Sequence, residues 1–142
     1  MKVSHIMTRP MVTISTEKLV KAAAKLMVEK NIGLLVVTQS GENEKLLGVI
    51  SERDIIKVIA SGRTLEMKVS DVYTRNAVTV AQDSDVAEVA KAMNKHAIRH
   101  VVVVDDKGKP TGVVSMRDLV GERSTLTAIL QSNEKEVFHG AD

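Results

Sequence analysis

The sequence has no cysteine and no tryptophan, two prolines, and only two aromatic residues, Tyr73 and Phe138. Each shortage closes off a class of chemistry. Without cysteine there is no disulfide, no thiolate nucleophile and no cysteine-bound metal, which fits a reducing cytoplasm. With so few aromatics there is no stacking platform for single-stranded nucleic acid, and a flat ring would have to lie against aliphatic side chains. The first residues, Met1–Met7, form no apolar run of signal-peptide length, and no stretch approaches the ~20 apolar residues of a membrane helix. Charge is nearly balanced, 20 basic against 18 acidic residues for a net +2, so no basic excess argues for a nucleic-acid partner. The histidines His5, His96, His100 and His139 have no metal-ligand spacing. No Ser–His–Asp set can be assembled, so we expect a chain that is not an enzyme and requires no metal or cofactor.

What the chain does have is aliphatic residues and repetition. Hydrophobic residues make up 44% of its 142 positions, seven of them Met, enough to bury roughly 70% of the unfolded surface. Residues 3–37 align without a gap on residues 69–103, matching at Val3/Val69, Ser4/Ser70, Thr8/Thr74, Arg9/Arg75, Val12/Val78, Thr13/Thr79, Met27/Met93 and Ile32/Ile98. Further on, GVISERDI at 48–55 matches GVVSMRDL at 112–119.

Within each copy the pattern predicts a short strand (12–14, 78–80) and an amphipathic helix (about 16–30, 82–96). A buried strand (34–37, 101–104), a breaker-rich turn (40–45, 105–110), a third strand (47–50, 112–114) and a second helix starting at Ser51 or Ser115 complete it. The expected fold is therefore α/β (α+β): two βαββα repeats related by a pseudo-twofold axis, each too small to stand alone. We divide the chain into repeat 1 (1–62), a linker (63–68), repeat 2 (69–123), and a C-terminal helical extension and tail (124–142). The apolar stretch Leu126–Leu130 lies in that extension. Duplicated folds of this kind bind ligands where the halves meet.

Gly-x-x-Ser-x-Arg-Asp occurs twice, at Gly48–Asp54 and Gly112–Asp118. It admits two readings. In one, Ser51 with Asp54 and Ser115 with Asp118 are capping boxes that satisfy orphan N–H groups at a helix start. In the other, the junction of strand and helix is an anion site. Ser51 and Ser115 then add a hydroxyl, Asp54 and Asp118 accept from a ribose diol, and Arg53 and Arg117 reach phosphates. Spacing leaves both open.

The duplicated pattern, IRHVVVV at 98–104 and GVxSxRD in both halves resemble a tandem pair of cystathionine-β-synthase (CBS) domains, a Bateman module, over about residues 1–122. The resemblance implies a regulatory module that binds adenosine compounds, AMP, ADP, ATP or S-adenosylmethionine, in clefts between the repeats. It implies that Asp54 and Asp118 hold ribose hydroxyls, with Ser51 and Ser115 beside them. Adenine would lie on the opposite repeat's first strand: Ala77, Val78 and Val80 for the Asp54 cleft, Met11, Val12, Thr13 and Ile14 for the Asp118 cleft. Arg99 and His100 occupy positions where family members often bind phosphate, whereas the first copy has Gly33-Leu34. We assign that pair to the Asp54 cleft, making the sites unequal, with the Asp54 site preferring more phosphate charge. The family's usual assembly is a homodimer, a disc of four repeats, and the output would act in trans on another protein. The alternative is a structural, partner-binding module with vestigial nucleotide sites.

Overall fold

A computed structural model of the protein describes residues 1–8, 11–42, 44–121 and 129–131. The first repeat runs β1 (Thr13–Ser15), α1 (Val20–Lys30), β2 (Leu34–Thr38), β3 (Gly48–Ser51) and α2 (Glu52–Ala60). The second runs β4 (Thr79–Ala81), α3 (Val86–His96), β5 (His100–Val104), β6 (Pro110–Ser115) and α4 (Met116–Gly121). Each repeat is βαββα, built on a three-stranded sheet with the long apolar strand in the middle. The first strand pairs with it in parallel and the third pairs antiparallel.

The central strands are apolar without alternation because both their faces are covered. Leu35 and Val37 of β2 face α1, beside Val20, Ala23 and Met27. Val101 and Val103 of β5 face α3, beside Val86, Val89 and Met93. The intervening residues meet across the repeats: Leu34, Val36 and Val49 of the first sheet pack with Val102, Val104 and Val113 of the second. This seam also takes in Met11 and Ala77.

Two short 3-10 turns, Val3–His5 and Val69–Asp71, precede the repeats, and each docks on the other one. Val3 is fully buried in the second repeat's core. Its N–H donates to Ser84 O at 2.9 Å, and that of Ser4 to Gln82 O at 3.2 Å. Val69 is fully buried in the first repeat's core, with its N–H on Lys18 O at 2.8 Å and that of Ser70 on Thr16 O at 2.9 Å. Each repeat thus completes its core with a residue from across the chain.

The exchange explains one difference from the sequence expectation. The helices begin at Val20 and Val86 rather than near 16 and 82. Carbonyls of Thr16 and Lys18, and of Gln82 and Ser84, accept from the exchanged turns. A carbonyl so engaged is drawn away from an i→i+4 helical bond. Of the extension at 124–142, only 129–131 fall within the described residues. Ile129 there is 3% exposed, packed in the second core. Arg9, matched to Arg75 in the repeat, lies outside the described residues.

Candidate functional site

Both Gly-x-x-Ser-x-Arg-Asp segments sit where the third strand passes into the second helix. At α2 the Asp54 Oδ2 accepts from the Ser51 N–H at 2.9 Å and the Ser51 hydroxyl at 3.1 Å. The Asp54 N–H donates back to Ser51 Oγ at 3.3 Å. At α4 the Ser115 N–H donates to Asp118 Oδ2 at 2.8 Å, and the Asp118 N–H to Ser115 Oγ at 3.1 Å. Both pairs are closed capping boxes. The ring leaves room for a second role: an ionised carboxylate has about four lone-pair directions, and the cap draws on one oxygen of each. All four residues are half-buried, whereas Arg53 and Arg117 are exposed.

The Asp54 site has a member that the motif alone does not name. The Thr74 hydroxyl donates to Asp54 Oδ1 at 3.2 Å, with Oδ2 at 3.3 Å. Thr74 arrives on the exchanged segment, held by a two-way bridge: Val49 N–H to Thr74 O at 3.0 Å, and Thr74 N–H to Val49 O at 2.8 Å. Its counterpart Thr8 is tied to Val113, its N–H donating to Val113 O at 2.8 Å. The sequence signal was the match of Thr8 with Thr74, but nothing local said which repeat either would reach.

The first-strand residues divide by face. Met11 and Ala77 lie in the seam between the sheets. Val12 and Ile14 turn into the first core, and Val78 and Val80 into the second. The Thr13 hydroxyl donates to Gly41 O. The seam therefore offers a ligand Met11 and Ala77 as side chains, and the other candidates mainly their backbone.

Arg99 is exposed and His100 half-buried. His100 pairs in register with Ser115 of β6, which groups it with Asp118 inside its own repeat. Burial pushes the imidazole below the usual histidine pKa, opposed by the carboxylates of Glu52 and Asp118 and aided by Arg99. Among the described residues, no helix is long and apolar enough to cross a membrane.

The CBS domain profile matches the chain twice, at residues 3–61 and 69–124. A 17.7 kDa protein of Acidianus ambivalens is 36% identical over 118 residues, covering 83% of this chain and 70% of the relative. Two enzyme relatives share only the CBS part, 24% and 22% of their own length. Among solved structures, a CBS domain protein from Pyrobaculum aerophilum complexed with AMP superposes with a TM-score of 0.86 at 30% identity. That match covers 92% of this chain and 99% of the other. The CBS domain pair of protein MJ0100, in complex with 5′-methylthioadenosine and S-adenosyl-L-methionine, gives 0.78 at 31% identity over 85% and 98%. With two profile matches and this fold, the chain belongs to the CBS domain family, as a tandem pair of CBS domains.

Proposed function

We propose that the protein is a non-catalytic regulatory module that binds adenosine ligands between its repeats and passes the state of the seam to a protein in trans. The observation that carries this is the twofold Ser-x-x-Asp junction, in which each aspartate is held by its own cap with acceptor capacity to spare. An aliphatic seam containing Met11 and Ala77 suits a purine in a chain so poor in aromatics. The AMP, methylthioadenosine and S-adenosylmethionine of the solved relatives favour the same ligand class. In this reading Asp54 and Asp118 take ribose hydroxyls, Ser51, Ser115 and Thr74 assist, and Arg99, Arg53 and Arg117 are the available cations for phosphate. The division into 1–62, 63–68, 69–123 and 124–142 belongs to the same proposal.

Calorimetric titration with AMP, ADP, ATP and S-adenosylmethionine in turn tests it. We expect at least one to bind at micromolar level, about 8 kcal/mol. No heat from any of them, with a melting temperature unmoved at millimolar ligand, would leave the aspartates as helix caps and favour a partner-binding scaffold.

The second helices carry exposed aliphatic residues, Ile56 at 62%, Ile59 at 59% and Val120 at 54%. Ile56 and Val120 hold equivalent places in the two repeats. Apolar side chains so placed favour a covered face, and we assign it to a homodimer of four repeats. Light scattering should give the mass of two chains, falling to one for Ile56→Glu with Ile59→Glu. A dimer that survives both changes would place the interface elsewhere.

A further inference from the structure

Arg75 matches Arg9 in the repeat, and no part of the adenosine reading uses it. Its side chain is exposed, yet it is held at three points. The guanidinium carbon stands 4.8 Å from the centroid of the Tyr73 ring. Nη1 donates to the Tyr73 hydroxyl at 3.0 Å, and Nη2 to Ser70 O at 3.4 Å. A planar guanidinium can lie on a ring face and donate from its edge at the same time.

Arg75 thereby closes the exchanged segment on itself. At the segment's start Val69 is buried in the first core, and the Tyr73 N–H donates to Val69 O at 3.0 Å. Tyr73 is half-buried against the same core. Its ring lies so near β3 that a Cβ on Gly48 would be 2.9 Å from Tyr73 Cδ2. Thr74 sits between these two braced residues, with both backbone groups tied to Val49. From there its hydroxyl reaches Asp54 Oδ1 and Oδ2 at 3.2 and 3.3 Å. The cap grips Oδ2 from the start of α2, and Thr74 grips the carboxylate from the exchanged segment. An acceptor oriented in advance spares the ligand the cost of ordering it.

The first copy is built differently. Met7 stands in the place of Tyr73 and offers no ring face; its thioether lies against β6, where a Cβ on Gly112 would be 2.7 Å from Met7 Sδ. Thr8 is tied to Val113 through its backbone. Among the described residues, no hydrogen bond runs from the Thr8 side chain to Asp118.

We propose that Arg75 is a positioning residue of the Asp54 cleft: stacked on Tyr73 and bonded to Ser70, it holds Thr74 against Asp54, so that this cleft alone is shaped before its ligand arrives. This rests on the adenosine reading above. Both terminal nitrogens of Arg75 are engaged within the segment, so it acts through Thr74 and not on a ligand phosphate.

An Asp118→Ala background leaves the Asp54 cleft to titrate. There Arg75→Met, which keeps an unbranched stem and removes the fork, should weaken AMP and 5′-methylthioadenosine alike. The loss should be about three- to tenfold, the size of an exposed cation–π contact with its hydrogen bonds. Melting should stay within about 3 °C of the background protein. Thr74→Val removes the hydroxyl through which Arg75 acts, so adding Arg75→Met to it should cost less than about twofold more, whereas independent effects would multiply. Tyr73 is the one tyrosine and there is no tryptophan, so acrylamide quenching of ultraviolet emission reads this ring; it should rise in Arg75→Met. A loss confined to AMP would make Arg75 a phosphate ligand and overturn the positioning role. Unchanged affinity for both ligands, multiplied losses with Thr74→Val, or unchanged quenching would overturn it too, and the adenosine reading would stand in each case. If neither ligand binds the Asp118→Ala protein itself, the adenosine reading of this cleft falls and the Arg75 assignment falls with it.

Discussion

Asp54→Ala is expected to weaken adenosine-ligand binding in its own cleft about ten- to a hundredfold and to leave the other cleft unchanged, with Asp118→Ala doing the converse. The size follows from hydrogen bonds to a charged acceptor, which contribute roughly 1.5–3 kcal/mol net, at about 1.4 kcal/mol per tenfold in affinity. The complication is that both aspartates already cap helices. Removing a cap costs about 1 kcal/mol of stability whatever the ligand does. Asp54→Asn separates the two roles, because its amide oxygen can still accept from the Ser51 N–H while the charge is gone. Ribose binding at Asp54 predicts that the Asn variant melts near wild type yet binds poorly. A cap-only role predicts the reverse for Asp54→Ala, a lower melting temperature with unchanged affinity. Calorimetric stoichiometry on the single variants decides it: one site lost in each, both lost in the double variant.

How far these sites could be read from the sequence depends on whether the governing contact is local. The capping boxes are local, three residues apart, and the motif at 48–54 and 112–118 located both. The two-sided burial of Leu34–Val37 was also legible, because a strand covered on both faces is apolar at successive positions. The partner of the lead-in turns was not. Val3 and Val69 head segments that align with one another, and both surfaces that receive them are aliphatic. The same hydrophobic pattern therefore fits docking on either repeat. From that one ambiguity follow the helix starts placed four residues early and the failure to name Thr74, which reaches Asp54 only because its segment crosses over. His100 shows a third kind of limit. Its type and position marked it as a candidate, but its charge environment includes Glu52 in the other repeat and Asp118 eighteen residues later, and no spacing rule joins the three.

The exchange also makes two matched glycines unequal. Gly48→Ala is expected to cost about 2–3 kcal/mol, at the upper end for overpacking, and Gly112→Ala about 1 kcal/mol or less. A Cβ on Gly48 would lie 2.1 Å from Thr74 O and 2.9 Å from Tyr73 Cδ2. The first obstacle is backbone, pinned by both hydrogen bonds to Val49, so the exchanged segment itself must move. At Gly112 the nearest atom, at 2.7 Å, is Met7 Sδ, with Thr8 O at 3.1 Å. An unbranched methionine can swing aside by changing rotamer. At about 3 °C per kcal/mol for a chain of this length, thermal melts should separate the variants by several degrees. Gly48→Ala should also draw Thr74 away from Asp54 and weaken ligand binding in that cleft, an effect absent from Gly112→Ala at either site. Equal melting losses in the two variants would mean that Thr74 yields as readily as a side chain, and that the exchanged segment is not a rigid wall of the Asp54 site.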